Sequence, residues 1–342
     1  MKQFLKFTLA SAVGLVFGIF LLIIIFAVLA TSGESTALKL SKAHILRLEL
    51  SGAIQDRVEK TPFDAYGKLI GNNISTIGLN DVLANIKKAE EDENIKGIFL
   101  ETGYLNAGFA TIEEIRNALL DFRESGKFIT SYSEIYTQRA YYLASVADNI
   151  CIYPEGAMEL KGLNSTVTFY TDALNKIGIE PQIIRHGKFK SAVEPFMLTA
   201  MSDANREQVE TFMGSIWEQF LNNVARERGL TRIRLNEIVD NFEIRNPKDA
   251  LRLDLVDQLY YRDQLQAHLA ALMEVEKYED IDFISLKKYN RIKNDNARDK
   301  FKKEKIAVIY AQGEIRSGEG SETVIGSERI SKAIRKARQD DK

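Results

Sequence analysis

The sequence predicts an α/β fold with a largely parallel sheet, preceded by an apolar helix and followed by the start of a second unit of the same plan. Three observations carry this. From His44 onward, short apolar or alternating runs take turns with segments of helical periodicity, the pattern of parallel strands joined by right-handed crossover helices. Leu9 to Ala30 is a run of 22 residues without a charge. The plan of His44–Ile54 then returns at Lys305–Ile315. At 342 residues the chain exceeds one ordinary domain and is long enough to bury a sizeable core.

Lys2 and Lys6 precede the apolar run, and Thr31-Ser32-Gly33-Glu34 after it has no basic residue. The positive-inside bias therefore leaves residues 1–8 in the cytoplasm, spans the membrane with 9–30 and sends the rest across. A cleaved signal peptide, cut after Val28-Leu29-Ala30, is the competing reading. Its apolar region is ordinarily only about 7–15 residues, so the length favours an uncleaved anchor.

His44–Ile54 alternates apolar and polar residues up to Gly52 and reads as a strand entering a turn. After a polar loop, Asn80 or Asp81 caps a helix with Val82, Leu83 and Ile86 on its apolar side. Ile95–Leu100 is the next strand. Ile112, Ile115, Leu119 and Phe122 mark a helix ended by Gly126. Phe128–Thr130 is a third strand, Tyr141-Tyr142-Leu143 lies on a helix, and Asn149–Tyr153 is a fourth strand. Val167–Ile177 predicts a helix and Pro181–Arg185 a strand. Val209, Phe212, Met213, Ile216, Trp217, Phe220, Leu221 and Val224 then stripe a long amphipathic helix, with shorter helices continuing to about Glu274.

The first unit so defined covers 44–286. Residues 287–305, dense in Lys, Arg, Asp and Asn, suit a solvated linker. Residues 306–342 begin a second unit: Gly313 stands for Gly52, and Ile330–Ala337 echoes Val82–Ala89. One strand and one helix cannot enclose a core. The sequence therefore reads as the front part of a longer two-repeat protein, or as a chain cut short.

Composition narrows the function classes. The 46 basic and 48 acidic residues nearly cancel, so no overall field recommends nucleic acid. His44, His186 and His268 lie far apart and Cys151 is alone, which gives no zinc spacing, no metal or cofactor site and no intrachain disulfide. One stretch stands out: Ile183-Ile184-Arg185-His186-Gly187-Lys188-Phe189-Lys190-Ser191-Ala192-Val193-Glu194-Pro195-Phe196. A lysine among Phe189, Ala192, Val193 and Phe196 that loses hydration has its pKa lowered and can serve as a general base. Read from residues alone, the same stretch is first of all a solvated basic turn, and only the surrounding chain favours the base.

Tyr141–Asp148 (YYLASVAD) together with Gly187–Phe196 (GKFKSAVEPF) closely resembles the long form of the bacterial signal peptide peptidase A family, also called protease IV. The anchor, the restart after 305 and the helix around Trp217 fit that family as well. The resemblance implies two tandem repeats of the ClpP/crotonase type acting as a Ser–Lys protease, the first repeat supplying the base and the second the nucleophile. It places the base at Lys190, immediately before Ser-Ala-Val-Glu-Pro, rather than at Lys188. It places the counterpart of the family's serine at Gln138, three residues before the Tyr141-Tyr142 pair. Glutamine is no nucleophile, so the serine is expected in the second repeat, roughly 45 residues past Lys342. Ser145 reads as packed or backbone-bonded, and Thr102–Gly108 lacks the consecutive glycines of the family's oxyanion loop.

The resemblance further implies signal peptides and other hydrophobic peptides as substrates, no cofactor, and homo-oligomers. It also implies a single-pass placement in the bacterial inner membrane, with the catalytic part on the periplasmic side. Two other classes compete: a membrane-anchored, non-catalytic α/β scaffold, and a crotonase-like acyl-CoA enzyme. Export across the membrane separates the latter from its substrate.

Overall fold

The computed structural model describes residues 2–31, 40, 42–58, 77–292, 306–321 and 324–340. Helix α1 runs Lys2–Thr31 and contains the apolar run at 9–30, although the side chains of 22–31 lie outside the described residues. Among the described residues, no helix is long and apolar enough to cross a membrane.

From His44 the chain forms β1 (His44–Glu49), β2 (Gly52–Gln55), β3 (Ile77–Gly78), α2 (Leu79–Glu91), β4 (Ile95–Glu101) and β5 (Leu105–Asn106). Next come α3 (Phe109–Glu124), β6 (Phe128–Tyr136), α4 (Gln138–Ala144), β7 (Asn149–Met158) and α5 (Thr171–Lys176). A 3-10 turn (Ser191–Phe196) precedes α6 (Asp203–Arg228), α7 (Arg232–Asp240) and α8 (Pro247–Arg252). The unit closes with β8 (Gln258–Leu259), α9 (Arg262–Leu272), β9 (Asp282–Ser285) and α10 (Leu286–Tyr289).

Six strands make one sheet in the order β8-β7-β6-β4-β1-β9, every neighbouring pair parallel. This is the mixed α/β class that the alternation predicts. Side chains of a strand leave it on alternate faces, and here both faces are covered. Ile45, Phe99, Tyr132 and Cys151 pack with Leu265, Leu269 and Ala270 of α9. On the other face Leu46, Leu48, Ile98, Leu100 and Ile150 meet Ile86 of α2, Ile115 and Leu119 of α3, Leu143 of α4, and Phe220 and Val224 of α6. Burial on both sides explains near-continuous apolar runs such as Ile98-Phe99-Leu100.

Several boundaries differ from the sequence reading. The strand expected over His44–Ile54 is two: Gly52, at φ 114°, turns the chain out of the main sheet, and β2 pairs with β3 and β5 in a small parallel sheet. Neither Asn80 nor Asp81 caps α2. Gly78 holds that position without a side-chain bond, and the Asn80 N–H donates instead to the Asp56 carbonyl at 3.3 Å. The helix expected over Val167–Ile177 shrinks to α5. No strand forms at 181–185; Ile184 is fully exposed, because the main sheet ends at β8 and β9 and offers this segment no ladder. In α6, Phe220, Leu221, Val224 and Ala225 are buried while Phe212 is 65% exposed, so half of the stripe belongs to the core. Within the stretch expected as linker, Tyr289 is fully buried. Its hydroxyl donates to Asp92 at 3.0 Å, and Lys88 Nζ donates to the Tyr289 and Ile292 carbonyls. Residues 293–305 lie outside the described ones.

The second unit repeats the geometry of the first over a short distance. β10 (Glu314–Arg316) pairs in parallel with β12 (Val324–Gly326), which pairs antiparallel with β11 (Gly320–Ser321). Helix α11 spans Ser327–Arg338. The Ile315–Ile325 pair mirrors Ile54–Ile77, Gly313 has φ 102° against 114° at Gly52, and glycines 326 and 78 occupy equivalent N-caps at φ −83°. Burial does not repeat. Val82, Ile86 and Ala89 are buried in α2, whereas no residue of α11 is. Ile306 is 93% exposed, and 306–312 form no strand.

Candidate active site

The lysine-bearing loop is built on a tight turn. Gly187 takes φ +105°, a conformation that costs glycine least, and its carbonyl accepts from the Lys190 N–H at 3.4 Å. Lys190 then precedes the 3-10 turn Ser191–Phe196. Tyr170 stacks on Phe196 at 5.8 Å, and the Tyr170 N–H donates to the Pro195 carbonyl at 2.7 Å. Lys188 lies over the Phe189 ring at 5.5 Å.

Desolvation of Lys190 by its neighbours is not found within the described chain. Lys190, Phe189, Ala192 and Phe196 are exposed and Val193 is half-buried, because these side chains lie along a surface rather than closing over the amine. The buried charge of the motif is Glu194, with no exposed surface. Its carboxylate accepts from Ser202 Oγ at 2.6 Å, the Ser202 N–H at 3.3 Å and Asn205 Nδ2 at 2.9 Å, and Arg185 Nη1 stands 3.6 Å away. Burial pushes its pKa up, but the Ser202 and Asn205 bonds and the Arg185 charge outweigh that and hold it below the usual value. The carboxylate also sits at the first turn of α6, where the helix field favours an anion.

Glu194 has no role assigned from the sequence. The available signal was a carboxylate inside Ala-Val-Glu-Pro-Phe followed by Ser202 and Asn205 at N-cap spacing.

Gln138, which the resemblance equates with the family's serine, opens α4 and clamps backbone. Its Oε1 accepts from the Lys161 and Gly162 N–H groups at 3.0 and 2.9 Å, and its Nε2 donates to the Gly162 carbonyl at 3.1 Å. Ser145, as the sequence suggests, is buried and donates to the Tyr142 carbonyl at 2.9 Å. In the Thr102–Gly108 loop, Leu105 and Asn106 pair with Gly52 and Ala53 as β5, and the Thr102 carbonyl accepts from Ser133 Oγ at 2.5 Å. Cys151 is buried; burial, with Asp257 adding to it, pushes its thiol up to about 12, which removes it as a nucleophile at neutral pH. Among the described residues no three His, Cys, Asp or Glu side chains come together to hold a metal ion.

Comparison with known proteins covers this whole region. Residues 121–276, from the end of α3 through α9 with Gln138 and Lys190 inside, match peptidase family S49. A protein named Protease 4 from Haemophilus influenzae is 28% identical over 333 residues, 94% of this chain and 54% of that one. One of the same name from Salmonella typhi is 30% identical over 345 residues, 95% of this chain and 54% of that one. The chloroplastic serine protease SPPA of Arabidopsis thaliana is 29% identical over 310 residues, 89% of this chain and 44% of that one. The chain thus spans about half the length of the curated relatives it matches. Residues 121–276 thus match peptidase family S49, and the chain is similar over most of its length to proteins named Protease 4 and SPPA.

Proposed function

We propose that this chain is the base-donating part of a membrane-anchored serine endopeptidase that cuts signal peptides and other hydrophobic peptides. In this reading the unit at 44–286 is a ClpP/crotonase-type repeat and Lys190 is its general base. A second repeat supplies the serine. The amine takes the serine proton as the oxygen attacks the peptide carbonyl, and returns it to the leaving amine. Backbone N–H groups hold the oxyanion, and water then releases the acyl group. Lysine does this only when uncharged. Lys190 is exposed in the described chain, so this reading requires a covering surface, from the second repeat, a further subunit or the bound peptide, to desolvate it. Residues 9–30 anchor the enzyme in the bacterial inner membrane, with the rest on the periplasmic side, and copies of the chain associate.

The observation that carries this is the family S49 match spanning a lysine loop fastened to the start of α6 through a buried carboxylate. The test compares Lys190→Ala with Lys188→Ala in the complete protein, using a hydrophobic peptide substrate. Cleavage is abolished in the first with the fold retained and largely preserved in the second; full activity of Lys190→Ala defeats the assignment. A second reading, an anchored non-catalytic scaffold, is favoured by the Gln138 clamp, which fills the nucleophile position with a residue committed to backbone bonds. Absence of peptide cleavage by the complete protein would select it.

A further inference from the structure

We propose that Arg185 and Glu194 are positioning residues that fix where the Lys190 side chain starts; this rests on the reading of Lys190 as the base. The geometry is a relay of contacts. Arg185 Nη1 donates to the Lys190 carbonyl at 3.3 Å and stands 3.6 Å from the Glu194 carboxylate. Glu194 in turn is held by three donors from Ser202 and Asn205. Ser202 caps α6, whose far half is core: Phe220 stacks on Trp217 and lies 5.3 Å from the Tyr142 ring, and Asn223 Nδ2 donates to the Tyr142 hydroxyl at 2.6 Å. The backbone of Lys190 is thereby referenced to the helix layer of the sheet, although the segment 177–190 that leads into it has no regular structure.

A lysine amine ends a flexible four-carbon stem, and a catalytic group displaced by about 1 Å loses on the order of a hundredfold in rate; fixing the backbone removes one source of that displacement. Burying a carboxylate is also costly unless it is fully paired, and an apolar residue of similar size would often be at least as stable. Here every contact on the carboxylate leads either to α6 or, through Arg185, to Lys190.

The experiment is competitive amine labelling of the full chain at fixed pH. The rate at each lysine is read by mass spectrometry, with hydrogen exchange measured over 185–210, for wild type, Glu194→Gln, Arg185→Met and Arg185→Lys. The expected result is a several-fold change in the Lys190 rate relative to Lys188 in Glu194→Gln and Arg185→Met, partly restored in Arg185→Lys. Exchange in the first turn of α6 stays at its wild-type level in Arg185→Met. A purely structural role of Glu194 would open that turn without moving the Lys190 rate in Arg185→Met, and that result overturns the proposal. Arg185→Met leaves the Ser202 and Asn205 bonds in place, so it decides the matter even if Glu194→Gln fails to fold. Retained peptide cleavage by Lys190→Ala would sink the base reading while leaving the labelling result standing. Unchanged labelling with a dead Lys190→Ala would sink the positioning alone.

Discussion

Glu227→Gln is the substitution that most directly tests how the core of this unit carries its charges. The Glu227 side chain is only 8% exposed and faces three arginines: Arg123 at 2.7 Å, Arg226 at 3.0 Å and Arg116 at 3.7 Å. Arg116 is completely buried. Its Nη2 donates to the Asn223 carbonyl at 3.1 Å, and its Nε and Nη1 have no hydrogen-bond partner among the described residues. Glutamine keeps the volume and removes the charge. Arg123 and Arg226 are exposed enough that each pair is worth only about 0–1 kcal/mol. Stranding the buried Arg116 dominates, at about 3–5 kcal/mol. At about 2–4 °C per kcal/mol for a unit of this size, the thermal midpoint falls by on the order of 10 °C at neutral pH.

The pH dependence has a definite sign. Burial raises the Glu227 pKa, but hydrogen bonds from Arg123 and Arg226 and the charge of Arg116 outweigh it, so the folded value is depressed. The stabilisation is therefore complete above the unfolded carboxylate value of about 4.3 and is lost as pH falls through the folded value. Differential scanning calorimetry of wild type and Glu227→Gln between neutral and acid pH reads both effects. Equal midpoints at neutral pH, or a gap undiminished in acid, would refute the reasoning. Replacing both partners, as Arg116→Met with Glu227→Leu, recovers much of the loss because no charge is then left buried alone.

Two other outcomes are expected. Gln138→Ala strips three bonds from the peptides at 161–162 and destabilises by about 1–3 kcal/mol, seen as faster hydrogen exchange there. Gln138→Ser gives no peptidase activity to residues 1–342, and a gain of cleavage would contradict the assignment of the serine to a second repeat. Cys151, buried with its thiol pushed up to about 12, stays unreactive toward a thiol reagent at mildly alkaline pH until the chain is denatured; labelling of the native protein would show that β7 opens.

Elements whose cause is local were legible in the sequence. The apolar spacing of Ile112, Ile115, Leu119 and Phe122 located α3, and Gly126, at φ +80°, ended it as read. Asn149–Tyr153 and Phe128–Thr130 were found but cut short. Both strands continue past a register shift near Ser133–Ile135, and Gly156 allows the Glu134 carbonyl within 2.0 Å of where a Cβ would stand. The α2 cap was misread because its donor is satisfied from Asp56, across a loop whose path the local pattern does not reveal. The strand expected at Pro181–Arg185 had the right composition but no neighbour to bond.

By itself the sequence determined the α/β alternation, the likeness of the stretch at Gly313 to that at Gly52 and the lysine motif that carries the resemblance, since each is a pattern written in short runs of neighbouring residues. Tertiary structure decided which charges are buried and what they meet. Glu194 closes on residues 8 and 11 positions away, Gln138 on a peptide 24 positions away, and Lys88 on a carbonyl 201 positions away. A hydrogen bond or ion pair gains its strength from the exclusion of water, and exclusion is a property of the assembled layers that no local window of residues contains.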